Sequence, residues 1–218
     1  MARVMSVNLA VPRPDRSSTS GDLTGIDKRP TLEPVEIRAP EPGASGLAGD
    51  RIFDTAHHGG PDQAVYAYAR EDLDAWAAEL GRELCNGVFG ENLTTAELDV
   101  NGALIGERWR IGDRLVLEVT APRIPCGTFA AWMEEQRWVK RFTARALPGA
   151  YLRVIEPGPV RACDPITVVS RPDHDVTVRL AFRALTLEPR LLPRLAGIDA
   201  LHPRAKQKVA LRIARIGG

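Results

Sequence analysis

The sequence predicts an α+β protein that is mainly strand over residues 1–172 and helical over residues 173–218. Two observations support this prediction. Short segments with alternating apolar and polar residues, as in half-buried strands, recur as far as Val169. After Arg171 and Pro172, the apolar residues instead recur at helical spacing. We therefore expect a main domain over 1–172 and a small C-terminal extension over 173–218.

The main domain is predicted to contain six strand regions and two helices. Strands are expected where the alternation is clearest, at residues 3–11, 35–39, 63–69, 109–120, 150–155 and 166–169. Residues 12–30 are rich in Pro, Asp, Ser and Gly and predict a loop. A helix is expected over 71–80, because apolar residues recur at i, i+3, i+4 and i+7 from Leu73 and Gly81 suits its end. A second helix should cover residues 128–135.

The extension is predicted to hold three helices. Thr177 suits the N-cap of the first, a short middle helix is expected around Leu191, and Val209 and Ile213 share one face of the third. So short a segment cannot bury an independent core. We expect it to pack on the main domain or on a second copy of the chain, as in a homodimer.

Charge and hydropathy argue against several classes of partner. Lys and Arg number 29 and Asp and Glu number 28, so the formal net charge is +1 and no overall field attracts nucleic acid or an anionic membrane. No apolar run reaches the roughly 18 residues of a membrane-spanning helix. Ser6 and Asn8 interrupt the apolar stretch near the start, which argues against a signal peptide. We expect a cytoplasmic protein that binds neither nucleic acid nor membrane.

The densest cluster of unusual residues is DTAHHGGPDQ at 54–63, directly before a predicted strand. This composition favours a tight turn. Gly59 and Gly60 can take positive φ, so that backbone N–H groups converge on an anion such as phosphate, with His57 or His58 as side-chain donors. The alternative is an ordered turn whose histidines only bond the backbone. Adjacent strand residues point to opposite faces, so we do not expect both histidines to ligate one metal.

Two further loops contain candidate residues. The segment FGENLTT at 89–95 includes Asn92, whose amide offers an acceptor and two donors, although on its own this segment reads as a plain turn. The segment APRIPCG at 121–127 holds Cys126 before a predicted helix and close to Arg123. A helix N-terminus and a guanidinium both favour the thiolate, which suits a nucleophile or a ligand for a soft metal.

The cysteines are Cys85, Cys126 and Cys163. Their odd number and wide spacing argue against a disulfide framework and against a Cys-rich zinc site. Cys85 and Cys163 are interpreted as packing residues.

Taken in order, the segments HHGGPDQAVYAY, FGENLTT, IGDRLVLEVTAPRIPC and GAYLRVIEPGPV resemble the MOSC domain, which is named for the C-terminal part of molybdenum cofactor sulfurases. The resemblance covers about residues 1–170. Residues 173–218 resemble the three-helix extension of the bacterial YiiM-like subgroup. Several motifs in the right order are far more specific than one short pattern.

The resemblance implies a strand-rich, barrel-like fold that binds the molybdenum cofactor (molybdopterin). It also implies that Cys126 is the catalytic residue and the protein's ligand to the metal, since thiolate is a strong soft donor. Our candidate contacts to the cofactor and its phosphate are His57, His58, Gly59, Gly60, Asn92 and Arg123. Gln63 departs from the pattern, because relatives often have Lys or Arg there.

The resemblance further implies reduction of small N-hydroxylated compounds, such as N-hydroxylaminopurines, from N–OH to N–H with loss of water. The sequence contains no flavin fingerprint and no set of cysteines for an iron–sulfur cluster, so we expect a separate reductase to supply electrons. Two alternatives stay open. The chain can be a non-catalytic carrier of sulfur or of the cofactor on Cys126, or a cysteine hydrolase that uses Cys126 and a histidine.

Overall fold

A computed structural model describes residues 1–18 and 22–216. The strands within these residues, numbered along the chain, are β1 (Arg3–Ala10), β2 (Arg13–Pro14), β3 (Leu23–Thr24), β4 (Lys28–Thr31), β5 (Val35–Ile37), β6 (Val65–Ala69), β7 (Leu93–Ala96), β8 (Arg108–Ile111), β9 (Leu115–Pro122), β10 (Ala150–Glu156), β11 (Gly158–Val160) and β12 (Ile166–Ser170). The α-helices are α1 (Arg70–Leu80), α2 (Gly127–Met133), α3 (Trp138–Arg145), α4 (Val178–Thr186) and α5 (Pro203–Ile216). Short 3-10 helices cover Pro61–Gln63 and Pro189–Leu195. No helix in the described ranges is long and apolar enough to cross a membrane.

Eight strands form one large sheet in the order β12-β8-β9-β10-β6-β7-β1-β4. Neighbours are antiparallel except β6 and β7, which run parallel with Ala67 opposite Leu93. The start of β1 also meets the segment before β12, because the Val4 N–H donates to the Asp164 carbonyl at 2.9 Å. The sheet therefore curls strongly.

The predicted α+β class is confirmed, but the barrel expected from the resemblance is not closed. In the described part of the chain, the outermost strands β12 and β4 are not paired with each other. Strand β4 contains Pro30, which has no N–H to donate to a further strand. An edge position suits such a strand.

The predicted elements of the main domain are found with boundaries shifted by a few residues. Helix α1 ends at Gly81, which adopts the left-handed conformation expected of a glycine cap (φ 65°). Residues 12–30 are not simply a loop, because β2, β3 and the start of β4 lie there. Strand β7 begins inside the predicted turn 89–95, and its parallel pairing with β6 is a long-range contact that no local pattern encodes. Helix α3 was not predicted at all.

The C-terminal helices pack on the main domain, one of the two arrangements expected. The Thr177 hydroxyl accepts from the Leu180 N–H at 3.0 Å, so the predicted N-cap is present. Buried residues of α4 and Val209 of α5 belong to the same apolar cluster as the strands. The homodimer and the domain boundary between residues 172 and 173 remain predictions.

A second, aromatic cluster supports α1, α2 and α3. Phe89 lies at its centre, with its ring centroid 5.2 Å from that of Phe129 in an edge-to-face arrangement, and 5.6 Å from that of Trp138. Such pairs contribute about 0.5–1.5 kcal/mol beyond area burial. Cys126 packs against this cluster at the start of α2. The aromatic residues therefore provide a rigid support beneath that end of the helix.

The interpretation of two cysteines as packing residues was wrong. Cys85 and Cys163 are exposed, whereas Cys126 is half-buried. Cys163 has a φ of 72° in the turn that leads to β12, and its N–H donates to the Val4 carbonyl at 2.8 Å. A turn of this kind fixes the backbone and leaves the side chain outside the core.

Candidate functional site

A cavity of about 770 Å³, counting its open mouth, lies beside the start of α2. Residues from all three motifs singled out in the sequence line it: His58, Gly59, Asn92, Arg123 and Cys126. The fold thus brings together segments that are separated by up to about 70 positions in the chain.

Cys126 occupies the N-cap position of α2, as the sequence predicted for a thiol before a helix. Burial raises the pKa of the thiol, but a hydrogen bond from His58, the charge of Arg123 and the backbone N–H of Phe129 together outweigh it. The net effect lowers the pKa of Cys126 from 9.0 to about 7. Near neutral pH a large fraction is therefore thiolate, the form that acts as nucleophile and metal ligand.

Arg123 is a buried cation without a carboxylate partner in the described structure. Its guanidinium carbon lies 3.6 Å from the centre of the Phe129 ring and 5.5 Å from that of Tyr66, so aromatic faces hold it in place. The residue is 5% exposed, and its Nη1 has no hydrogen-bond partner among the described residues. A buried donor with a full charge is costly to leave unpaired. This position therefore suits an anionic group of a bound molecule.

Gln63 presents a second unpartnered polar atom on the same wall. Its Oε1 is buried and has no partner in the part of the chain that the structure describes. The Gln63 N–H donates to the Gly60 carbonyl at 3.0 Å within a 3-10 helix, which fixes the backbone at this point. On this wall, Arg123 Nη1 can donate to a bound ligand and Gln63 Oε1 can accept from it.

The two adjacent histidines face different surroundings, as expected. His58 lines the cavity beside Cys126 and lowers the pKa of its thiol. His57 lies outside the cavity lining with a side chain 75% exposed, and its Nδ1 pairs with Asp54 at 2.9 Å. The structure therefore does not bring His57 to the candidate site, because its ring bonds Asp54 within the same turn.

The two glycines take the predicted positive φ values, 75° for Gly59 and 94° for Gly60. Gly59 lines the cavity. The Gly60 N–H donates to the Ala44 carbonyl at 2.9 Å and Gly60 is not part of the lining, so it does not provide the expected anion contact. A Cβ at Gly59 would lie 2.7 Å from the Ala44 carbonyl oxygen, which explains the need for glycine there.

Asn92 lines the cavity but uses its amide on the protein itself. Its Oδ1 accepts from the Tyr66 N–H at 3.1 Å, and its Nδ2 donates to Asp50 at 2.9 Å. The residue ties β6 to the cavity floor. A hydrogen bond to a ligand, as predicted for Asn92, would compete with these contacts.

A buried ion pair beneath the cavity was not predicted from the sequence. Lys28 donates to both carboxylate oxygens of Asp50 at 2.7 Å, and both side chains are almost fully buried. Burial raises the pKa of Asp50, yet Lys28 and hydrogen bonds from Ser45 and the Ala10 N–H lower it overall. No sequence signal marks this pair, since its members lie 22 residues apart, with Lys28 at the start of β4 and Asp50 in an irregular segment.

The lowered pKa of Cys126 leads to a prediction about reactivity. In cofactor-free protein with Cys85 and Cys163 replaced by serine, the rate of alkylation by iodoacetamide should rise with pH and reach half its maximum near pH 7, because only the thiolate reacts. In a His58→Phe variant the thiolate loses its hydrogen bond, so the midpoint should move to higher pH. A midpoint that is the same in both proteins would contradict the proposed role of His58.

The fold and this cavity define a known class of protein. The sequence profile of the MOSC domain matches residues 54–167, slightly more than half of the chain. The chain therefore belongs to the MOSC domain family. The matched region contains Cys126, Arg123 and the His58 turn.

Individual relatives agree with this assignment. The chain is 34% identical to the uncharacterized protein YflK of Bacillus subtilis over 180 residues, which cover 83% of this chain and 79% of that one. It is 34% identical to protein YiiM of Escherichia coli over 139 residues, 62% of this chain and 61% of that one. A protein named reductase from Gibberella moniliformis is 32% identical over 132 residues, 59% of this chain but 23% of that protein.

The fold also matches a solved structure along nearly its whole length. The crystal structure of YiiM from Geobacillus stearothermophilus superposes with a TM-score of 0.79 at 23% identity, covering 98% of this chain and 100% of that one. This match includes the C-terminal helices, which the sequence related to the YiiM-like subgroup.

Proposed function

We propose that the protein is an oxidoreductase that binds the molybdenum cofactor and reduces N-hydroxylated compounds with electrons from a separate reductase. The observation that carries this proposal is the half-buried, low-pKa Cys126 on the wall of a cavity that is also lined by Arg123, whose buried Nη1 has no hydrogen-bond partner among the described residues. Membership of the MOSC family and the name of the fungal relative support the redox chemistry.

The residues present fit a pterin-based cofactor. Cys126 would provide a soft thiolate ligand to molybdenum, while the other sulfur ligands come with the pterin. Arg123 would pair with the cofactor's phosphate through its unpartnered Nη1, and Gln63 would bond a polar edge of the pterin through Oε1. When bound, the cofactor supplies two-electron redox chemistry that no side chain can provide.

The surrounding residues would prepare the site for this chemistry. His58 lies beside Cys126 on the cavity wall and would favour the charged form of its sulfur. The Tyr66 hydroxyl donates to the Pro148 carbonyl at 2.8 Å, so its ring forms a fixed wall of the cavity.

In the overall reaction, the N–OH group of the substrate takes up two electrons and two protons and becomes N–H, with release of water. The electrons come from the partner reductase.

The test is reduction of an N-hydroxylated base by the cofactor-loaded protein. With a chemically reduced viologen dye as electron source, 6-hydroxylaminopurine should be converted to adenine, and a Cys126→Ala variant should not convert it. Loaded protein that retains the cofactor but reduces no N-hydroxylated compound would contradict the proposal and favour the carrier alternative.

One observation favours a second candidate, a cysteine hydrolase. His58 lines the same cavity as Cys126 and lowers the pKa of its thiol, and a thiolate paired with a histidine is the nucleophile of such enzymes. Metal-free protein that hydrolyses p-nitrophenyl acetate with turnover, and loses this activity in Cys126→Ser, would favour the hydrolase.

A further inference from the structure

A second cavity continues outward from the candidate cofactor site along α2. It has about 890 Å³, counting its open mouth, and shares Asp15, Thr24, Ile26 and Thr128 with the first. At the boundary the Thr128 hydroxyl donates to Asp15 at 2.9 Å. Thr128 follows Cys126 by two positions and Trp132 lies one helical turn further on, so the groove runs from the thiol along one face of the helix.

The outer part of this groove has more positive than negative charge. Asp27, whose side chain is 9% exposed, accepts from Arg13 Nε at 2.8 Å and from Arg29 Nη2 at 3.2 Å. One carboxylate cannot neutralise two guanidinium groups. Both Nη groups of Arg13 take no part in its bond to Asp27, which uses Nε.

The other charges of the groove are already paired or lie at its inner end. Arg16 pairs with Glu134. The remaining carboxylate of the groove, Asp15, is at the inner boundary and accepts from Ser17 and Thr128.

The same groove presents a fixed aromatic face. Trp132 is half-buried, lines the groove and donates through Nε1 to the Val88 carbonyl at 2.8 Å. This bond holds the indole in one orientation. A nucleic-acid base can stack on such a ring. Guanidinium groups bind phosphate oxygens in a bidentate manner.

We propose that the groove is a subsite for a nucleoside monophosphate, so that the protein takes its N-hydroxylated substrates as nucleotides. The base lies along Trp132 towards Cys126, and the phosphate is bound by Arg13 and Arg29. This inference rests on the proposed function only in taking the substrate to be N-hydroxylated; binding of the nucleotide itself does not depend on it. An aromatic face beside paired cations selects a ring that carries a phosphate over a free ring.

The test uses AMP, adenosine and inorganic phosphate as probes, with affinity measured by titration calorimetry on the full chain. AMP should bind at least about tenfold more tightly than adenosine and than phosphate, since only AMP combines charge-assisted bonds from its phosphate to the arginines with stacking of its base on Trp132. Arg29→Met should remove this advantage and leave adenosine binding unchanged, because Asp27 keeps Arg13 as its partner. Trp132→Leu should weaken both AMP and adenosine. The control Arg110→Met, an exposed arginine on β8 outside both cavities, should change neither.

Several results would overturn the subsite. These are equal affinity for AMP and adenosine, AMP affinity equal to that of phosphate, or AMP binding that is insensitive to Arg29→Met. Loss of pterin from Arg29→Met with unchanged AMP affinity would assign the groove to the cofactor's own phosphate and would likewise overturn it. Reduction assays separate the two proposals: AMP binding without any N-hydroxy reduction contradicts only the proposed function, and reduction of the free base without AMP binding contradicts only the subsite.

Discussion

Replacing Arg123 by methionine is expected to remove most of the pterin from protein purified from a host that makes the cofactor. Arg123 offers a buried, unpartnered Nη1 on the cavity wall. A charge-assisted bond of about 1.5–3 kcal/mol corresponds to roughly 10- to 150-fold weaker binding when it is lost. The measurement is the amount of fluorescent oxidised pterin per protein chain.

The same variant separates a ligand-binding role from a structural one. In cofactor-free protein, methionine can still pack against the Phe129 ring, and the substitution removes an uncompensated buried charge. Arg123→Met should therefore be at least as stable to thermal unfolding as the original protein. Full pterin content would contradict the binding role of Arg123, and a variant that unfolds much more easily would show that Arg123 supports the fold. Arg110→Met is the matched control.

Replacing Asp50 by asparagine is expected to destabilise the protein by about 3–5 kcal/mol, because it leaves the buried Lys28 ammonium without its counter-charge. Asparagine keeps one oxygen and can therefore accept either from the Ala10 N–H, which bonds Oδ1, or from Ser45 and Asn92, which bond Oδ2, so the substitution removes the charge together with some of these bonds. The measurement is the free energy of unfolding from a urea titration followed by circular dichroism.

The double variant Lys28→Met with Asp50→Asn tests the cause. It removes both charges and should recover a large part of the stability lost in the single variant, since apolar replacements of buried ion pairs are often close to neutral. Equal loss in the single and double variants would mean that the hydrogen bonds of Asp50, rather than its charge, hold the cavity floor together.

The sequence predicted much of the fold because the relevant signals are local. The apolar stripe of α1 with its Gly81 cap, and the Thr177 cap of α4, depend on residues within one or two turns. Strand β7 was not predicted because it is defined by parallel pairing with β6. Helix α3 has neither a capping side chain, as α4 has, nor a terminal glycine, as α1 has, because its C-cap is Ala146, so both kinds of boundary signal are missing.

The candidate site was predicted in part. Cys126, Arg123 and His58 were marked by glycine, proline and helix-start signals, and the structure brings them to one cavity. His57, Gly60 and the amide of Asn92 carry the same signals, but their hydrogen bonds are used within the protein. His58 and Gly59 face the cavity whereas their neighbours His57 and Gly60 do not. This difference depends on backbone geometry, which residue spacing alone does not define. Lys28 and Asp50 had no local signal at all.

We propose that Cys126 is the protein's ligand to molybdenum. The most direct test is the molybdenum content of protein from a cofactor-competent host, compared with Cys126→Ala and with a Cys85→Ala, Cys163→Ala control prepared identically. We expect close to one molybdenum per chain in the original protein and the control, and almost none in Cys126→Ala. A Cys126→Ala protein that keeps the full molybdenum content would contradict the account.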